Sequence, residues 1–98
     1  MVRGGCIYIM SNRHRTVYYI GVTAGLIARA SQHRHGEGYT FAKKYRCTNL
    51  IYYEAYGRIE EAIDREKVLK KWRRSWKDEL IKKKNPALRD LYPEVAKH

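Results

Sequence analysis

The chain has 98 residues and a mass of 11.7 kDa, the size of one small domain with one core, and is expected to be a single domain over 1–98. Lys and Arg number 21 against 10 Asp and Glu, a net charge of +11, yet the apolar fraction of 44% is ordinary for a globular protein and excludes a disordered polybasic chain. The longest apolar runs, 6–10 and 17–20, fall far short of the ~18 residues of a membrane span, and no secretory signal follows Arg3; the expectation is a cytoplasmic or nucleoid-associated protein without a membrane partner.

Residues 6–10 and 16–22 are rich in Ile and Tyr and flank the polar stretch 11–15, which predicts a β-hairpin. A helix follows over about 25–34, with Leu26, Ile27 and Ala30 on one side, and Gly36-Glu37-Gly38 ends it. A polar loop leads to a third strand over about 49–56. The spacing of Ile59, Ala62, Ile63 and Leu69 predicts a helix over 59–72, and another over 76–83 stops before Asn85-Pro86. That order, ββαβαα, is an α+β domain with a three-stranded antiparallel sheet flanked by helices. Cys6 and Cys47, with no CxxC pair, are expected to be free thiols.

Positive charge is spread through the folded segments. Residues 13–46 carry seven Lys or Arg against Glu37 alone, and residues 58–84 carry eleven against six acids. A basic surface of this kind suits a polyanion, and inside a cell that is nucleic acid. The candidate phosphate contacts are Arg13, Arg15, Lys43, Lys44, Lys70, Lys71, Arg73 and Arg74, with Asn85 beside them.

Three placements exceed ordinary packing. Glu66 falls within the arc of the apolar stripe on the 59–72 helix, where a carboxylate must pair with a cation, take donors, hold a metal or become protonated. Arg29 and His33, four apart, share a helix face and could clamp a phosphate; standing alone they read first as a solvated Arg and a partly buried His. His33 and His35, two apart, cannot share a helix face as a zinc pair. If the hairpin turn centres on Arg13 and His14, Tyr8 lies directly across from Tyr19, on one sheet face. Such tyrosines serve either packing or proton transfer.

These positions together resemble the GIY-YIG nuclease superfamily, and its small stand-alone bacterial members in particular. Cys6-Ile7-Tyr8 and Tyr19-Ile20-Gly21 stand in place of the two naming tripeptides, separated by ten residues. Arg29 and His33 match the helix motif, Glu61 to Trp72 match a pattern like EAxxxExxxIKKW that points to Glu66, and Asn85-Pro86 match a late Asn-Pro. The first Gly of GIY is Cys6 here, with Gly5 before it.

The resemblance implies a divalent-metal-dependent endonuclease that hydrolyses phosphodiester bonds in DNA at a single active site. Glu66 would hold one Mg²⁺ or Mn²⁺, largely water-coordinated. Arg29 would stabilise charge on the phosphoryl oxygens, Tyr8 would be the general base, and Tyr19 would orient it or a water, with His33 an alternative proton acceptor. Asn85 would support either the phosphate or the sheet edge. A core this short leaves no second base-reading domain, so selectivity is expected for structure (flaps, branches, RNA) rather than sequence. The rival reading is an inactive or partner-dependent nucleic-acid-binding module of the same fold. The sequence is silent on oligomeric state.

Overall fold

A computed structural model describes residues 4–36 and 40–97. The hairpin consists of β1 (Gly5–Ser11) and β2 (Tyr18–Thr23), followed by helix α1 (Leu26–Arg34). A short helix α2 (Thr40–Lys44) precedes β3 (Asn49–Tyr56), and α3 (Ile59–Lys70), α4 (Arg74–Lys84) and α5 (Tyr92–Val95) complete the chain. Strand β3 returns beside β1, giving an antiparallel sheet in the order β2-β1-β3. The α+β architecture is thus the expected one, with α2 and α5 added in stretches read from sequence as loop and tail. Gly36 leaves α1 in the left-handed region at φ 75, its N–H donating to His33 O; Glu37 and Gly38 lie outside the described residues.

Being central, β1 is buried on both faces from Ile7 to Ser11, which explains its unbroken apolar run. Its alternate side chains feed two cores. Ile7 and Ile9 join Ile20, Ile51, Tyr52, Ala62, Leu69 and Ile81 on the side of α3 and α4, while Tyr8 and Met10 join Ala30, Ala42, Cys47 and Leu50 on the other side. A bulge between Ile9 and Met10 puts one extra residue, Ile51, on β3. Leu50 and Tyr53 therefore face the α1 side, and Ile51 and Tyr52 the α3 side.

The hairpin register differs from the expected one. Tyr8 pairs with Gly21, and Tyr19 with Met10, so the turn is displaced toward the C-terminus. Asn12 is the cause: its Oδ1 accepts from the N–H groups of Thr16 and Val17, at 2.9 and 3.1 Å, and Arg15 adopts φ 60. The partner moves by two residues, an even number, so Tyr8 and Tyr19 still share one face. The strained Arg15 is held by its own guanidinium, which donates to Leu88 O and Asn12 O at 2.7 Å each.

Helix α3 buries Ala62 and Leu69 but leaves Ile63 37% exposed, contrary to the expected stripe. The buried arc is centred on Ala62 and Leu69, with Glu66 on one flank and Arg65 on the other. Arg65 donates to both oxygens of Glu54 on β3, at 3.0 and 3.2 Å, and its guanidinium lies over Trp72. Tyr52 and Tyr56 also donate to Glu54. Burial pushes the Glu54 carboxyl up, but these hydrogen bonds outweigh it and hold the group below its ordinary value. That polar anchor turns Arg65 inward and Ile63 outward.

The start of β1 runs against α3. A Cβ on Gly5 would lie 2.8 Å from Ile59 Cγ1 and 3.1 Å from Ile59 Cα. The close approach that demands glycine thus falls on Gly5, and the half-buried Cys6 beside it is accommodated. Both cysteines are free. Among the described residues no helix is long and apolar enough to cross a membrane.

Candidate active site

Tyr8 is fully buried, and its hydroxyl lies 3.1 Å from Nε2 of His33, itself only 2% exposed. Strand β1 and helix α1 supply the two partners. Tyr19 completes a triangle of rings, its centroid 6.3 Å from Tyr8 and 5.4 Å from His33. Spacing on the helix and alternation on the strands thus bring Tyr8, Tyr19 and His33 together, with half-buried Arg29 one turn before His33.

Gly21 makes room for this arrangement. The Tyr8 phenol lies across it, and a Cβ there would stand 2.4 Å from Tyr8 Oη and 2.5 Å from Cζ. The ring is packed on all sides, so it cannot swing away freely. Gly21→Ala is therefore expected to displace the hydroxyl by an ångström or so and to lower any Tyr8-dependent turnover about 10²-fold. Melting curves alongside turnover will separate this displacement from general unfolding.

Burial depresses the pKa of His33 below its ordinary value of 6.5, and the Arg29 charge depresses it further. The imidazole is neutral at pH 7, able to accept from the Tyr8 hydroxyl when its own proton sits on Nδ1, or to donate when it sits on Nε2. Nδ1 is buried with no hydrogen-bond partner among the described residues. Because the folded pKa lies below the unfolded one, the unfolded state binds more protons as the pH falls below 6.5. Stability from this residue is full above that value and is lost on acidification toward the folded pKa. Urea midpoints between pH 7.5 and 5 should fall in the wild type and fall less in His33→Gln; equal slopes would assign the pH dependence elsewhere.

Glu66 lies on α3, which packs beneath the opposite sheet face. Its side chain is 21% exposed, and Oε2 lies 3.5 Å from Lys70 Nζ one turn on. It is therefore half-buried and paired with a cation, the first of the outcomes that its place on the stripe allowed. The two sheet faces meet at the β2 edge, where a cleft of about 260 Å³ is lined by Tyr18, Tyr19, Ile20, Phe41, Lys70 and Lys77. Lys70 thus ties the Glu66 carboxylate to the wall that Tyr19 also forms. Lys77, whose ammonium burial and the Arg74 charge push down in pKa, is a cleft residue that no sequence motif marked.

The other candidates divide by what they already hold. Arg13, Lys43, Lys44, Lys70, Lys71 and Arg73 are exposed, Lys70 being the partner of Glu66 and Arg73 lying 4.9 Å over Trp76. Arg15 is committed to the turn described above. Arg74 donates to Arg15 O, to Thr16 O at 3.0 Å and to Asp78, and sits 3.5 Å over the Tyr18 ring; it clamps the hairpin to α4. Asn85 is 2% exposed. Its amide donates to Ile51 O and Arg89 O at 2.9 and 2.8 Å, and its Oδ1 accepts from Arg89 N. This is the placement of a sheet-edge bracket, since a buried amide spent on main chain has no donor left for a phosphate.

The chain matches the family model described as the GIY-YIG catalytic domain over residues 4–85. It is 31% identical over 91 residues to a UPF0213 protein of Pediococcus pentosaceus, covering 93% of this chain and 95% of that one. It is 31% identical to a UPF0213 protein of Streptococcus pneumoniae serotype 4 over 76% of this chain and 75% of the other, and 35% identical to one of Staphylococcus aureus (strain Mu3) over 67% and 80%. No solved structure matches. The chain belongs to the GIY-YIG family. Its domain is of the nuclease type, which implies a nucleic-acid substrate.

Nucleases of this family generally use divalent metals. Among the described residues no group of three or more His, Cys, Asp and Glu is placed to hold one. A lone carboxylate such as that of the half-buried Glu66 suits a hard cation that keeps most of its waters and takes further oxygens from a phosphate.

Proposed function

We propose that the protein is a metal-dependent endonuclease acting on DNA, with Tyr8, Tyr19, Arg29, His33 and Glu66 as its working residues. The observation that carries this reading is the buried Tyr8–His33 hydrogen bond, 3.1 Å long, held under Tyr19 by the clearance at Gly21. A packing tyrosine needs no such pairing with a histidine that burial keeps neutral. Once substrate binding admits a water to it, the buried hydroxyl would take a proton from that water while its own proton passes to Nε2 of His33, and the oxygen of that water then bonds to phosphorus as the P–O bond to the leaving oxygen breaks. Arg29 would meet the charge that grows on the phosphoryl oxygens. Glu66 would hold Mg²⁺ or Mn²⁺, which when bound would neutralise the leaving oxygen. Exposed Arg13, Lys43, Lys44, Lys70, Lys71 and Arg73 supply phosphate contacts, which position nucleic acid without reading its bases. Selectivity therefore follows the shape of the substrate.

Supercoiled plasmid incubated with the protein in EDTA should stay intact, and excess Mn²⁺ or Mg²⁺ should restore nicking. Binding to the same plasmid without any metal-restored nicking would sink the enzyme reading and leave the binding module.

A further inference from the structure

Helix α2 continues the rings of the candidate site out to solvent. Phe41 stacks beside Tyr19 with centroids 6.3 Å apart and planes at 28°, and Tyr45 lies 4.7 Å beyond Phe41. These two aromatics are 49% and 42% exposed. The exposure does not come from a loosely held segment, because Ala42 between them and Cys47 after them are buried in the α1-side core, and Cys47 N donates to Ala42 O at 2.8 Å. Lys44 Nζ lies 5.5 Å over the Tyr45 ring, Lys43 is exposed beside it, and residues 40–49 contain no acid. On the Tyr45 side a second cleft, of about 400 Å³, is lined by Asn12, Arg13, His14, Arg46 and Thr48.

Two anchored, half-exposed aromatic rings lose burial energy by standing in water, and cations beside them mark the occupant as an anion with flat apolar faces. A nucleotide meets both requirements, base on ring and phosphate on Lys or Arg. The bases of a duplex are already stacked on one another and present only their edges. We propose that Phe41 and Tyr45 form a stacking platform for unpaired nucleotides adjoining the phosphodiester at Tyr8 and Tyr19. This rests on the nuclease reading and names its substrate class: a single strand, or a duplex with unpaired nucleotides beside the cut.

The test is equilibrium binding by fluorescence anisotropy in EDTA, where no turnover occurs, with labelled 15-mer single strands of DNA and RNA and a duplex of the same sequence. Phe41→Ala and Tyr45→Ala should each weaken single-strand binding about 5- to 150-fold, the usual loss for one stacking ring, and change duplex binding less than about twofold. Phe41→Trp should keep single-strand affinity, and Lys43→Gln should weaken both forms. Unchanged melting curves will show that the alanine variants fold. Equal losses on single strand and duplex, or no loss on either, overturn the platform, and wild-type nicking of plasmid in that case leaves the nuclease reading standing. A wild type that binds neither form overturns both. Binding to phosphatidylserine vesicles that needs Phe41 and Tyr45, with single-strand affinity unaffected by them, would reassign the patch to a membrane surface and overturn the proposal.

Discussion

Glu66→Gln is expected to lower Mg²⁺- or Mn²⁺-stimulated nicking by about 10³-fold or more, because a bound cation is worth several kcal/mol to a charge-developing transition state. The amide keeps the shape of the side chain and removes the charge that would hold the ion. Folding should be little affected. The carboxylate shares an i,i+4 pair with Lys70, whose side chain is 56% exposed, and such pairs contribute about 0.3–0.5 kcal/mol. Nicking rates at saturating metal, read beside urea midpoints, decide the matter. A Gln variant that nicks at the wild-type rate would remove Glu66 from the site.

Tyr8→Phe is expected to lower turnover about 10²- to 10⁴-fold, the range for loss of a proton-transfer group. It should also cost about 1–3 kcal/mol of stability, since Nε2 of the buried His33 loses its hydroxyl partner while Nδ1 has none among the described residues. Tyr19→Phe should cost less, as Tyr19 touches the pair by ring contact and sits at the cleft wall. The reverse ranking would make Tyr19 the base. If Tyr8→Phe keeps its turnover while His33→Gln loses it, the water's proton goes to His33 directly. Rates measured from pH 5 to 9 add a second reading: the acid limb belongs to protonation of His33 and should lie below pH 6.5, because burial depresses that pKa.

Local patterning made much of this molecule legible. Strand β3 over 49–56 and helix α1 were readable within a residue, because Ile/Tyr-rich runs and helical spacing are local signals. The same holds for the shared face of Tyr8 and Tyr19, which survives an even change of register. The i,i+4 spacing of Arg29 and His33 is likewise a property of one helix. Helices α2 and α5 escaped, being five and four residues long, too short to show a period.

What the residues determined by themselves is the set of short-range relations: which side chains share a strand face or a helix turn, and how much positive charge the surface carries. The tertiary structure decided every relation that depends on segments far apart in the chain. Burial of His33 against Tyr8, 25 positions away, makes the imidazole neutral. The Tyr8 ring lying across Gly21 explains a glycine whose own backbone demands none. Asn12 set the hairpin register through its side-chain oxygen, and Glu54 set the rotation of α3 through Arg65, neither of which apolar periodicity can register. Asn85 became a bracket between β3 and the segment after α4, because its amide was buried beside free main-chain groups. Desolvation, close approach and long-range hydrogen bonds exist only once distant segments meet, so a pattern of spacing can mark the residues involved but cannot assign what each of them does.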